Sequence, residues 1–282
     1  MKHTMAVTLA LTLMFLASQI VGLFVLEKYV TYETVEENNV TLVKQTWKAL
    51  PLNAERPKFK EETSFLPVFA IILAVTIAIL LLLKFRLFKV WKFWFFLSVW
   101  FCLSIALYSF LGWLGDYIVL IIGFIAAFFK VIRRNLLVHN LSELLIYSGL
   151  AAIFVPVFTT WSISILLVLI SIYDMIAVWR TKHMVKLAKF TAEMKTFAGF
   201  LIPYGKSKMA ILGGGDIGFP LMFSGVILKS YGLWTLVVPV TVSVALLMLL
   251  LKGEKGKFYP AMPFLSAGCF IGYGIVWLIH TL

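Results

Sequence analysis

Long apolar runs alternate with short polar stretches along almost the whole chain. A helix that spans a bilayer needs about 20 predominantly apolar residues, and nine stretches reach or approach that length. They run from Met5 to Leu26, Phe65 to Leu83, Phe93 to Leu111, Tyr117 to Phe129, Leu141 to Val157, Trp161 to Trp179, Ala210 to Leu228, Leu233 to Leu251 and Phe264 to Ile279. The first follows Lys2 and His3, is longer than the apolar part of a secretory leader and has no A-x-A cleavage site after it, so it reads as a retained span. The fourth is the shortest, because Gly112, Gly115 and Asp116 leave a tight hairpin ahead of it; fusing it with the third would change the parity of the spans. Glycine steps such as Gly268 to Gly272 suit close helix packing.

The longest polar break, Glu27 to Ser64, has mixed charge, few large apolar residues and an Asn39-Val40-Thr41 sequon. It reads as an outer loop of modest structure. A second polar stretch, Arg180 to Lys208, is basic, and Gly199, Pro203 and Gly205 interrupt any long helix there.

Composition agrees with a chain that lives in a bilayer. Of 282 residues, 62% are hydrophobic and 13% charged, with a mean hydropathy of +0.99. That leaves too few charged residues to cover a soluble core. The expected fold class is an all-α polytopic membrane protein with nine transmembrane helices. A net charge of +12 could suggest nucleic acid, but insertion gathers Lys and Arg in cytoplasmic loops, so no nucleic-acid partner is expected. Alternating the loops across the bilayer puts 18 of the 25 basic residues on one side and 7 on the other. This predicts a cytoplasmic amino terminus and an outer carboxyl terminus. Cys102 and Cys269 fall in distant apolar runs with neither metal-ligand nor disulfide spacing, and read as lipid-facing or packing residues. No metal or other cofactor is expected.

Three of the 13 acidic residues interrupt apolar runs: Glu143, Asp174 and Asp216. A carboxylate in hydrocarbon costs at least about 2.5 kcal/mol on insertion scales, and such residues usually face a partner or a water-filled cavity. Glu143 follows His139 and Asn140 at the inner end of the fifth span, where it reads as an interfacial helix-start charge or the partner of a basic loop residue. The sixth span runs inward and the seventh outward, which places Asp174 and Asp216 each about 9 Å from the inner boundary at the α-helical rise. Two carboxylates at one depth on consecutive antiparallel helices can share a proton and work as an acid/base dyad. The same pair also suits a hydrogen-bonded packing contact, or the ion site of a transporter or cation channel.

The residues around the aspartates carry a resemblance. Ser171-Ile172-Tyr173-Asp174-Met175-Ile176-Ala177-Val178 resembles the YD motif of presenilin, and Gly213-Gly214-Gly215-Asp216 fits the G-x-G-D motif of the presenilin and signal peptide peptidase family. Pro260-Ala261-Met262-Pro263 is similar to that family's P-A-L motif. The three occur in this order on the sixth, seventh and ninth spans. Met262 stands where the family has leucine, a volume-conserving change, and Gly214 occupies the variable position of G-x-G-D. Prepilin-type peptidases also use G-x-G-D, but they leave the tyrosine-aspartate and proline-alanine elements unexplained.

The resemblance implies an intramembrane aspartyl protease with Asp174 and Asp216 catalytic. Tyr173, Gly213, Gly214, Gly215, Pro260, Ala261 and Met262 would line the active site. Its substrates would be transmembrane helices of other proteins within the lipid bilayer, paired as an unwound strand with the end of the 180–208 loop. It also implies a division into an amino-terminal five-helix bundle, 1–160 with the outer loop 27–64, and catalytic helices six to nine, 161–282. Independently of the family, Gly213 and Gly215 lack a Cβ and let another chain approach Asp216. Pro260 and Pro263 break the start of the ninth span and leave irregular backbone that is tolerable beside protein or a water cavity.

Overall fold

The computed structural model describes residues 4–37, 40–133, 135–181, 196–204, 208–254 and 259–281. Asn39 of the sequon, and residues 182–195 and 205–207 of the basic loop, lie outside the described residues. The described chain forms nine α-helices: α1 Met5–Tyr29, α2 Phe65–Lys84, α3 Phe88–Leu111, α4 Asp116–Phe128, α5 Leu136–Phe154, α6 Thr160–Met175, α7 Gly214–Tyr231, α8 Val237–Lys252 and α9 Met262–Thr281. Each apolar stretch read from the sequence overlaps one of them. Seven continuous helical segments among the described residues are long and apolar enough to cross a membrane. The α7 and α8 helices fall in one such segment, joined by the 3-10 turn Gly232–Leu236. Gly232, at φ 54° and ψ −134°, breaks the helical path between them. The α4 helix has only 13 residues, follows Gly115 at φ 91°, and runs on into a π-turn over Phe129–Arg133.

Polar side chains set several helix starts by taking up first-turn N–H groups that have no partner in their own helix. Thr4 accepts from Val7, Asn135 from Leu137 and Thr159 from Ser162. One core unites α1, α5, α6, α7, α8 and α9, with Phe15, Phe158 and Phe223 fully buried in it. A smaller cluster seals α3 against α4. Between α8 and α9, a Cβ on Gly268 would lie 2.9 Å from Val242 Cα, and one on Gly272 would lie 2.8 Å from Val238 Cα. These two backbones therefore touch, as the glycine steps predict. Both cysteines are buried packing residues.

Two hairpins depart from the all-helical expectation. In the outer segment, β1 (Val30–Glu37) pairs antiparallel with β2 (Val40–Trp47), and Thr31 and Thr46 share a hydroxyl hydrogen bond at 2.9 Å. The β-branched and aromatic residues in Val30-Thr31-Tyr32 and Thr46-Trp47 favour this pleated pairing. After the basic loop, β3 (Gly199–Tyr204) pairs with β4 (Lys208–Gly213). The β4 strand takes up what the sequence suggests as the first turn of the seventh span. The run Gly213-Gly214-Gly215 has low helix propensity, and the partner strand supplies the ladder that a helix would otherwise provide.

Hydrogen bonds sort the connections into two ends of the bundle. At one end Arg56 donates to the Ala152 carbonyl, Lys229 to the Phe158 carbonyl and the Leu52 N–H to Asp116. At the other, Trp91 donates to Thr196, and β3 joins the start of α5.

Candidate active site

Asp174 lies next to the last residue of α6, where the chain continues as a π-turn over Ile176–Arg180. Such turns recur at functional sites. Its side chain is 4% exposed and meets the start of α9. The Met262 N–H donates to Asp174 Oδ2 at 3.1 Å, and the Ala261 N–H is a second backbone donor. Pro260 and Pro263 have no N–H to give, so Ala261 and Met262 supply the donors at this helix start. A carboxylate is the acceptor that a helix amino terminus favours. Next to this contact, Ser171 and Ser266 share a hydrogen bond at 2.9 Å between the same two helices.

Asp216 is reached from a different direction. It is the third residue of α7 rather than a residue deeper in a helix beginning at Ala210, because β4 extends to Gly213. Gly213 is the N-cap, and its backbone N–H donates back to the Asp216 carboxylate, one half of a capping box. Pro220 cannot donate to the Asp216 carbonyl four residues earlier, so the first turn of α7 is loosened where the aspartate sits. Asp216 is half-buried.

Both carboxylates line one cavity of about 630 Å³. Tyr173, Gly213, Gly214, Gly215 and Met262 lie in its wall, as the motifs suggest. Ala261 reaches the site through its backbone N–H, and Pro260, buried, precedes it. Apolar side chains also line it: Ile72, Val75 and Ile79 from α2, with Trp91, Trp94 and Phe95 from α3. The two acids therefore share one largely apolar cavity. Such a lining suits an apolar ligand.

Three features decide between the sequence expectations or go beyond them. Glu143 is not an interfacial helix-start charge: α5 begins at Leu136, and Glu143 is 0% exposed and ion-paired with Lys130. Of its two sequence readings, the basic partner is the one the structure contains. Lys130, counted from the sequence as a loop charge, is itself buried. Tyr147, one turn beyond Glu143, lines the aspartate cavity; its only sequence signal is the four-residue spacing His139, Glu143, Tyr147. Gly199, at φ 133°, pairs with Gly213, and a Cβ there would lie 2.1 Å from the Leu212 carbonyl oxygen. Only glycine fits that position.

Residues 34–211 match the family model described as signal-peptide peptidase, presenilin aspartyl protease. The matched span contains Asp174 and ends before Asp216, whose assignment rests on the motif and the geometry above. No curated protein sequence matches the chain. Two crystal forms of a presenilin family intramembrane aspartate protease, in space groups C222 and P2, share its fold at a TM-score of 0.67 and 22% identity. Each alignment covers 96% of this chain, with 99% and 97% of the respective structures. With several apolar helices and a family model matched over more than half its length, this multi-pass integral membrane chain belongs to the signal-peptide peptidase and presenilin aspartyl protease family.

Proposed function

We propose that the chain is an intramembrane aspartyl protease of the GxGD type, hydrolysing peptide bonds within transmembrane helices of other proteins. The observation that carries this reading is the pair Asp174 and Asp216 in one cavity with an apolar flank. The pair shares one proton. Its ionised member takes a proton from water as the oxygen attacks the peptide carbon, and its protonated member donates to the carbonyl oxygen. The tetrahedral diol then collapses, the C–N bond breaks, and the proton taken from water passes to the leaving amine. The rate against pH should be bell-shaped; a flat acid limb would count against a shared proton.

A helix shields its peptide bonds, so the substrate must unwind at the site. The β3–β4 hairpin offers backbone to the unwound strand. On β3, His139 and Asn140 already bond the Gly199 carbonyl and both backbone groups of Leu201. These residues thus point away from β4, and by antiparallel alternation their partners Ile211 and Gly213 point outward from the other edge. That β4 edge leads straight to Asp216 and suits strand addition.

The test is incubation of the purified chain in lipid vesicles with a labelled type I transmembrane peptide, with products read by mass spectrometry. Cleavage that Asp174→Asn and Asp216→Asn each stop is the expected result; ion flux without cleavage would instead make the pair an ion site. A cytoplasmic amino terminus and nine passes, supported by the charge count of 18 against 7 and by the sorting of loops to two ends, put the site in the cytoplasmic half of the bilayer. Type I segments cut near their inner end are then preferred. Equal cleavage of a matched type II peptide would overturn the orientation and leave the chemistry standing.

A further inference from the structure

A second group of ionisable side chains is buried beside the aspartate cavity and reaches its wall through Tyr147. Lys130, from the π-turn after α4, is 3% exposed, Glu143 is 0% and Tyr147 is 4%. Lys130 donates to one oxygen of Glu143, and the Tyr147 hydroxyl donates to the other. His139 completes the group. Its Nε2 lies 2.9 Å from the Gly199 carbonyl oxygen, which can only accept, so the ring proton sits on Nε2. Its Nδ1 is then free to accept from Lys130 Nζ, 3.3 Å away.

This group costs more than it needs to for packing alone. A buried ion pair is a weak stabiliser, and apolar residues of similar volume often replace one at no loss. What the group does have is direction. His139, Glu143 and Tyr147 recur every four residues and so form one stripe along α5. The upper end of the stripe holds β3 through Gly199, which pairs with Gly213. The lower end bears on α7. A Cβ on Gly214 would lie 2.6 Å from the Tyr147 hydroxyl, and one on Gly218 would lie 3.5 Å from its ring. Gly214 and Gly218 are about one turn apart, and Asp216 falls between them, about 200° around the axis. The tyrosine thus packs against the face of α7 behind the aspartate.

We infer that Tyr147, held by the hydrogen bond from its hydroxyl to Glu143, is a positioning residue that sets the angle at which Asp216 enters the site. The inference rests on the proposed proteolysis. Hydroxyl loss in Tyr147→Phe keeps the ring but releases it from Glu143, so α7 can shift against α5. A displacement of about 1 Å is enough to cost up to about 100-fold in rate. Substrate contacts on α2, α3 and β4 are untouched.

The full chain in vesicles, with the labelled peptide above, gives the test. Tyr147→Phe should lower kcat about tenfold or more, with KM within about twofold of the wild type, because the substrate-binding surfaces remain. Glu143→Gln alone leaves Lys130 buried without its charge partner, so folding is kept by pairing it with Lys130→Met. Lys130→Met/Glu143→Gln retains an oxygen acceptor for Tyr147 and should keep most of kcat. Lys130→Met/Glu143→Leu removes that acceptor and should match Tyr147→Phe, and adding Tyr147→Phe to it should cost nothing further. Unchanged kcat in Tyr147→Phe, or losses that simply add, overturns the inference while loss of cleavage in Asp216→Asn upholds the protease reading. Wild-type protein that fails to cleave, or Asp216→Asn that still cleaves, overturns both.

Discussion

The two aspartates stand in one cavity but are held by opposite means. Asp174 is almost fully buried and gripped by backbone N–H groups from another helix, Ala261 and Met262 at the start of α9. Asp216 is half-buried, is bonded by a backbone group of its own turn, and follows Gly214, which lies against Tyr147 of α5. One carboxylate is therefore part of the tertiary structure, a joint between α6 and α9. The other is presented on a loosened helix start, beside the strand that would carry substrate. A site that must admit a whole peptide strand benefits from one fixed and one adjustable wall.

The largest expected effect ignores this difference. Asp174→Ala and Asp216→Ala should each reduce cleavage to background, since the chemistry needs both carboxyls; residual turnover in either would break the dyad. Next in size is the glycine run, where the structure separates positions that the motif alone would rank the other way. A Cβ at Gly214 would collide with Tyr147, whereas one at Gly215 meets only Phe219 ring carbons at 3.5 and 3.8 Å. Gly214→Ala should therefore lower kcat by about tenfold or more, and Gly215→Ala by clearly less, as single-turnover rates would reveal. The reverse order would mean that α7 does not bear on α5 as described.

Stability then sharpens the contrast between the aspartates. Asp174→Ala strands the Met262 N–H, a loss of about 1–3 kcal/mol, and should lower the Tm; Asp174→Asn, which keeps an acceptor oxygen, should restore the Tm but not activity. Asp216→Ala should leave the Tm near that of the wild type. Equal Tm changes for the two alanine variants would erase the distinction. The smallest effect is Ser266→Ala, which removes the hydroxyl pair with Ser171 at a cost of about 1 kcal/mol. Denaturation in mild detergent should register it, with cleavage nearly unchanged.

Much of this was legible in the sequence because bilayers make polarity explicit. Apolar runs located every helix, and the aspartates stood out because charge is rare in such runs. Pro260 marked the non-helical lead into α9 correctly, whereas the glycines mark the change from β4 to α7 and Pro263 lies inside α9. Short-range pattern failed where the partner was distant. The β4 strand lies within an apolar stretch that looks like a helix start, and only its pairing with β3 makes it a strand. Glu143 looked interfacial because its partner, Lys130, sits on the preceding helix end and looked like an ordinary loop charge. Tyr147 was one aromatic among many, and its role depends on what Gly214 and Gly218 leave open.

Asp174 is held through the main chain, and this bears on how such a site can vary. The Met262 N–H would be present with almost any residue there, so the contact is indifferent to side-chain chemistry and forbids chiefly proline. Size still matters, because the Met262 side chain is 3% exposed. Methionine in a leucine's place meets both conditions. The information in Pro260-Ala261-Met262-Pro263 is thus mostly negative, stating where amide hydrogens are missing and leaving the remaining two to find the carboxylate. Segments of this kind can diverge widely in letters while the bond they make stays the same.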